Sequence, residues 1–187
     1  MDAVKNVVLI GYRGTGKTAV GRVLARKLRY SFIDTDAMIE ARAGSTISRL
    51  VEKEGWPRFR ELEREVLRDL RPVEGAVIAT GGGVPEDPGN LEILPGLGRV
   101  VWLTAQNGEI LKRLAGDGKT AVRRPSLGEG DFRREMETVL ERRIPLYRAA
   151  ADFVVDTTGK KIRAVAGEIV EWIERERYVR EQYRRTL

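Results

Sequence analysis

The chain alternates short apolar runs with longer stretches in which apolar positions recur every three to four residues. Five runs read as strands: Asn6–Ile10, Ser31–Asp34, Ala76–Thr80, Arg99–Leu103 and Asp152–Asp156. Helical spacing predicts helices over Lys17–Leu28, Ala37–Ala43, Thr46–Leu70, Glu109–Ala115, Phe132–Tyr147 and Ile162–Tyr183, with a short one near Leu91 among Pro85, Pro88 and Pro95. In the first helix Val20, Val23, Leu24 and Leu28 share one face. The long Thr46–Leu70 stretch is expected to break near Gly55, because Pro57 suits the first turn of a new helix. Pro145 is expected to kink or end the helix that holds it. Residues 116–130, rich in Gly, Arg and Lys with little periodicity, read as a mobile surface segment.

Near-continuous apolar strands separated by helices indicate an α/β fold, with a mainly parallel five-stranded sheet covered by helices on both faces. Ligands in such folds sit beyond the carboxyl ends of the strands. The segments that follow the first three strands should therefore meet on one rim.

The segment after the first strand is Gly11-Tyr12-Arg13-Gly14-Thr15-Gly16-Lys17-Thr18. Strand, G-x-x-x-x-G-K-T loop and helix, in that order, are the context of a phosphate-binding P-loop. Glycines allow backbone N–H groups to turn inward around phosphate oxygens, and the helix dipole adds positive potential. Lys17 adds a mobile charge, and the Thr18 hydroxyl can coordinate Mg²⁺.

Composition sharpens this picture. The 187 residues suit one domain with a sizeable core, and 42% hydrophobic against 33% charged residues is a globular balance. No apolar run approaches membrane-spanning length and the N-terminus has no signal-peptide pattern, so we expect a soluble cytoplasmic protein. The absence of cysteine and histidine excludes disulfides, thiolate metal sites and histidine catalysis, leaving Asp, Glu, Lys or Tyr for proton transfer. A net charge of +6 suits phosphate-rich ligands or nucleic acid. In the C-terminal tail, however, Arg175, Arg177, Arg180, Arg184 and Arg185 interleave with Glu174, Glu176 and Glu181, which reads mostly as a solvated helix end.

Asp34-Thr35-Asp36 follows the second strand. One of these residues can cap the next helix, but two acids one residue apart exceed what capping needs. One can serve a metal through water while the other grips a hydroxyl or accepts its proton. Gly81-Gly82-Gly83 after the third strand permits close approach of a small polar ligand, or is simply a flexible strand exit. No Asp ends that strand, so the usual second acidic metal partner of a P-loop is missing there and Asp34 is the better candidate. Arg60 can pair with Glu63 one turn along its helix or hold a carboxylate. Arg123-Arg124-Pro125 can close over phosphates or remain a solvated loop, and Arg143 can be a surface charge or an anion ligand.

Taken together, G-Y-R-G-T-G-K-T, D-T-D, F-R-x-x-E, G-G-G, R-P and R-x-P-L-Y resemble the shikimate kinase family, in order and spacing, from the first strand to about Lys161. The resemblance implies a three-layer P-loop kinase fold over 1–187, with a core of 1–115 and 131–175. It adds a substrate-binding helical segment at about 36–70 and a mobile lid at about 116–130. The implied activity is ATP-dependent phosphorylation of the 3-hydroxyl of shikimate, a step of aromatic amino-acid biosynthesis.

The implied roles follow residue by residue. Gly14, Thr15, Gly16, Lys17, Thr18 and Ala19 bind ATP phosphates, and Thr18 holds Mg²⁺ with Asp34 acting through water. Asp36 orients and deprotonates the acceptor hydroxyl. Arg60 and Arg143 clamp the acceptor carboxylate, and Gly81, Gly82 and Gly83 line its pocket, with Gly82 donating from its backbone. Arg124 (or Arg123) reaches the phosphates from the lid, while Arg113 and Lys160 fall near the adenine. Mg²⁺ is the one cofactor implied. The partners are ATP and shikimate, with a monomer expected and no nucleic-acid or membrane partner.

The chain departs from the family pattern at Gly55-Trp56-Pro57, where Gly-Glu is usual, at Pro85, and at Ser126 in the lid, and Gly116–Val122 looks lengthened. The alternatives weighed are another small-metabolite P-loop kinase, acting on gluconate or a nucleoside monophosphate, and a nucleotide-dependent nucleic-acid-binding module.

Overall fold

The computed structural model describes residues 4–116 and 129–185. The element order is β1 (Asn6–Ile10), α1 (Lys17–Leu28), β2 (Ser31–Asp34), α2 (Thr35–Ala43), α3 (Ile47–Asp69), β3 (Ala76–Ala79), a 3₁₀ turn (Val84–Glu86), α4 (Pro88–Leu97), β4 (Arg99–Thr104), α5 (Asn107–Gly116), α6 (Glu129–Ala150), β5 (Phe153–Asp156) and α7 (Ile162–Arg185). The five strands are all parallel, in the order β2-β3-β1-β4-β5. In register, Val8 of β1 faces Ile78 on one side and Val100 on the other.

The strand period of two divides the core. Val8 and Ile10 point to one face and pack with Ile78, Val100 and Trp102 against Leu62, Val66, Leu94 and Tyr147. Val7 and Leu9 point to the other and pack with Val77, Val101 and Leu103 against Leu24 of α1 and Ile169 of α7. All five residues of β1 are buried, as a central strand covered on both faces requires. A third cluster of Tyr12, Ile110, Leu114, Met136 and Leu140 supports the end of the molecule beside the P-loop.

Several boundaries moved for local physical reasons. α2 begins at Thr35, not Ala37, because Asp34 caps it by accepting from the N–H groups of Asp36 and Ala37. The expected break in α3 is present: Gly55 has φ 80° and ψ 169°, and Pro57 opens the second half. Pro145 does not end α6, which runs on to Ala150. α5 extends through Gly116 and α6 starts at Glu129, so both helices intrude on the segment expected to be irregular. The rest of that segment, with Arg123, Arg124 and Ser126, lies outside the described residues.

Asn6 seals the end of the sheet remote from the P-loop. Fully buried, it donates to the carbonyls of Val73 and Leu97 and accepts from the N–H of Ala76.

Candidate active site

The P-loop turns where β1 meets α1. Gly14 and Gly16 take φ values of 78° and 93°, the left-handed conformation that a side chain disfavours. The Lys17 ammonium lies back along its own loop, donating to the carbonyls of Gly11 at 2.7 Å and Tyr12 at 2.9 Å. Burial lowers its pKa to about 8, against the opposing pull of Asp36 and Asp34, and Arg143 lowers it further.

Asp34 does two jobs with two oxygens. Oδ1 caps α2, and Oδ2 accepts from the Thr18 hydroxyl at 3.1 Å. Thr80 follows β3, and its hydroxyl donates to the carbonyl of Leu9. Thr18 and Asp34 therefore provide hard oxygen atoms at the mouth of the P-loop, the donor type that suits Mg²⁺. Among the described residues there is no cluster of three or more acidic side chains that could hold a metal alone. A cation here would take most of its ligands from phosphate and water.

The triple glycine is the hub, and its role is space, not backbone freedom: none of the three has a positive φ. A Cβ on Gly81 would lie 2.8 Å from Asp36 Oδ1. One on Gly82 would lie 3.4 Å from the backbone nitrogen of Arg13 in the P-loop and 3.8 Å from Arg143 Nη1. One on Gly83 would lie 2.5 Å from Arg60 Nη2. The acid, the P-loop and both arginines thus converge on three consecutive residues, and the protein's own functional groups use the close approach expected for a ligand. Thr35, buried in the middle of D-T-D, accepts from the N–H of Gly81 and ties the two segments together.

Arg143 is not a surface charge; its side chain is 17% exposed. It and Tyr147 lie one helical turn apart on α6, which explains the spacing of R-x-P-L-Y. Arg143 reaches toward Gly82, and the Tyr147 hydroxyl donates to the Gly82 carbonyl. Tyr147 is fully buried, stacks on Trp102, and burial pushes its pKa up.

Arg60 makes its expected pair with Glu63, at 2.7 Å, and also reaches Glu86 at 3.2 Å. Glu63 is buried, accepts a second bond from Asn90, and burial raises its pKa despite the adjacent guanidinium. The unusual Trp56 is half exposed at the kink, edge-on to Phe59 and 5.9 Å from the Arg60 guanidinium carbon. Sequence reasoning marks Glu63 only as a partner of Arg60, and it does not mark Glu86, Asn90 or Tyr147. Only Glu63 and Tyr147 had a signal, as members of F-R-x-x-E and R-x-P-L-Y.

At the other end of the P-loop, Arg113 donates to the carbonyls of Gly14 and Thr157 and pairs with Glu109. Buried Thr157 bridges to the carbonyls of Thr15 and Thr104. Lys160 lies on the turn after β5 with its ammonium on Glu168.

Comparison with known proteins decides the family. The shikimate kinase family model matches residues 13–174. The shikimate kinase of Syntrophus aciditrophicus is 41% identical over 182 residues, 93% of each chain. The chain belongs to the shikimate kinase family. The shikimate kinase of Geobacter sulfurreducens is 44% identical over 169 residues, covering 90% of this chain and 91% of its own. Among solved structures, shikimate kinase from Acinetobacter baumannii in complex with shikimate superposes with a TM-score of 0.84 at 36% identity, covering 92% of this chain and 94% of that one. D-T-D, the triple glycine, R-x-P-L-Y and the P-loop from Arg13 onward fall inside the matched span of this shikimate kinase family member.

Proposed function

We infer that this protein transfers the γ-phosphoryl group of ATP to the 3-hydroxyl of shikimate, giving shikimate 3-phosphate and ADP. The observation that carries the reading is the convergence of the P-loop, Asp36, Arg60 and Arg143 on Gly81–Gly83. Membership of the family and the likeness to a structure in complex with shikimate support it.

Phosphoryl transfer asks the protein mainly for positioning and charge stabilisation. Residues Gly14 to Ala19 cradle the ATP phosphates, and Lys17 leaves the Gly11 and Tyr12 carbonyls to reach them. Thr18 and Asp34 would hold Mg²⁺, which when bound would neutralise phosphate charge. Asp36 orients the acceptor hydroxyl and accepts its proton. Arg60 and Arg143 bind the acceptor carboxylate. Gly82 donates from its backbone, and Arg113 and Lys160 border the adenine. Arg124 acts from the lid, outside the described residues. We infer further that the chain works as a single-domain monomer in the cytoplasm, on two small molecules without nucleic acid or membrane. In support, no helix among the described residues is long and apolar enough to cross a membrane. Tail residue Glu176 pairs with Arg99, and the tail residues Arg180, Arg184 and Arg185 lie outside the described side chains.

The test is a coupled assay of ATP consumption with and without shikimate, run beside gluconate and nucleoside monophosphates. ADP formation dependent on shikimate is expected. Turnover of another acceptor with none of shikimate would refute the assignment.

A further inference from the structure

The two arginines proposed to hold the acceptor carboxylate already hold one of the protein's own. Glu86 Oε2 accepts from Arg143 Nη2 at 2.6 Å and from Arg60 Nη2 at 3.2 Å, so one oxygen bridges both guanidinium groups. The other terminal nitrogen of Arg60 is committed to Glu63. Arg143 and Arg142 hold Glu86 below the usual carboxylate range, although burial opposes them, so it is ionised at neutral pH.

The placement of Glu86 is rigid at its backbone and free at its side chain. It ends the 3₁₀ turn that leaves the triple glycine, with its N–H on the Gly83 carbonyl. Pro85 and Val84 before it are buried, and Asn90 holds the Val84 carbonyl. The carboxylate can only swing about its own side-chain bonds. On the solvent side, Arg142, whose side chain is 67% exposed, already holds Oε1 at 2.5 Å.

We propose that Glu86 is a resident stand-in for the acceptor carboxylate: it bridges Arg60 and Arg143 in the free enzyme, and substrate displaces it toward Arg142. This rests on the reading that the two arginines clamp that carboxylate. A substrate carboxylate spanning the same two guanidinium groups needs the position that Oε2 fills, and two carboxylates cannot share it without like-charge repulsion in a half-buried pocket. Binding is therefore an exchange of one carboxylate for another, and part of the intrinsic affinity is spent on expelling Glu86. The exchange also selects. A neutral acceptor of similar shape has nothing to offer the arginines and leaves Glu86 in place, so rejection is built from the competitor as well as from the fit.

The experiment measures steady-state KM for shikimate and for ATP in wild type, Glu86→Gln, Arg143→Lys and the double variant. Glu86→Gln keeps the shape and removes the charge. We expect it to lower the shikimate KM by about tenfold, with kcat moving less than KM and the ATP KM unmoved. A shikimate KM that is unchanged or raised in Glu86→Gln overturns the proposal, a rise making Glu86 a support for the clamp instead. Arg143→Lys tests the underlying reading separately. If it raises the shikimate KM while Glu86→Gln fails to lower it, the clamp stands and the stand-in falls. If Arg143→Lys leaves the shikimate KM unchanged in both backgrounds, the clamp reading itself has failed.

Discussion

The Thr18 hydroxyl donates to Asp34 Oδ2 at 3.1 Å, while Asp34 Oδ1 caps the helix that carries Asp36. One carboxylate therefore couples the P-loop to the start of α2. The two oxygens can be tested apart. Asp34→Asn keeps a capping oxygen and loses the charge; it should raise the Mg²⁺ concentration for half-maximal activity by about tenfold with little change in Tm. Asp34→Ala loses the cap as well, at a cost of about 1 kcal/mol. Equal Tm values for the two variants would show that the cap contributes nothing.

Asp36 stands against Gly81, on the first turn of α2. Asp36→Asn should lower kcat by about 10²- to 10⁴-fold, the range for loss of a positioned base. ATP binding, followed by calorimetry, should stay within twofold. Retained turnover removes Asp36 from that role.

Lys17 supplies a pH signature. Its pKa in the free protein is lowered to about 8 from an ordinary 10.5, so its neutral form gains as pH rises through that value. Polyphosphate favours the charged form and restores the pKa. ATP binding at pH 8 should therefore take up about half a proton per site, and affinity should weaken as pH rises above that. Calorimetry in two buffers of different ionisation enthalpy reads the uptake directly, and zero uptake would contradict the picture.

Arg60 and Glu63 separate function from stability. Arg60→Ala should cost roughly 2–5 kcal/mol of acceptor binding, seen as a raised shikimate KM. It also leaves Glu63, 1% exposed, with Asn90 as its remaining hydrogen-bond donor, so Tm should fall. Adding Glu63→Gln to Arg60→Ala should recover much of the Tm and none of the KM. Recovery of both would make the arginine's role purely structural.

Gly81 and Gly83 face different partners, and their alanine variants should fail differently. Gly83 has φ −100° and ψ 2°, a conformation alanine accepts, so the obstacle is the Arg60 guanidinium 2.5 Å away. Gly83→Ala should raise the shikimate KM. Gly81→Ala presses on Asp36 and should act mainly on kcat. Identical effects on both parameters would mean that the segment responds as a whole.

Local chemistry made much of the site readable in advance. A P-loop is contiguous, so its spacing alone specifies the nest, and Gly55-Trp56-Pro57 announces a break because Pro57 suits the first turn of a new helix. D-T-D reads as an acid with a metal partner, and its middle residue is the link to Gly81, a bond across 46 positions that no window of sequence contains. Sequence does not decide between surface and site for Arg143, because helical spacing says which residues share a face, not what that face meets.

The apolar runs and their helical intervals determined the elements, the parallel sheet and the rim on which chemistry would gather, since periodicity and the rule for ligands in α/β sheets act within or between neighbouring segments. Only the tertiary structure decided that three glycines leave room for Asp36, the P-loop backbone and Arg60, and that Glu86, unmarked by any motif, occupies the arginine pair. The reason is physical. Space and charge balance belong to groups packed together from distant parts of the chain, and what each side chain must leave room for is set by neighbours that only folding brings near.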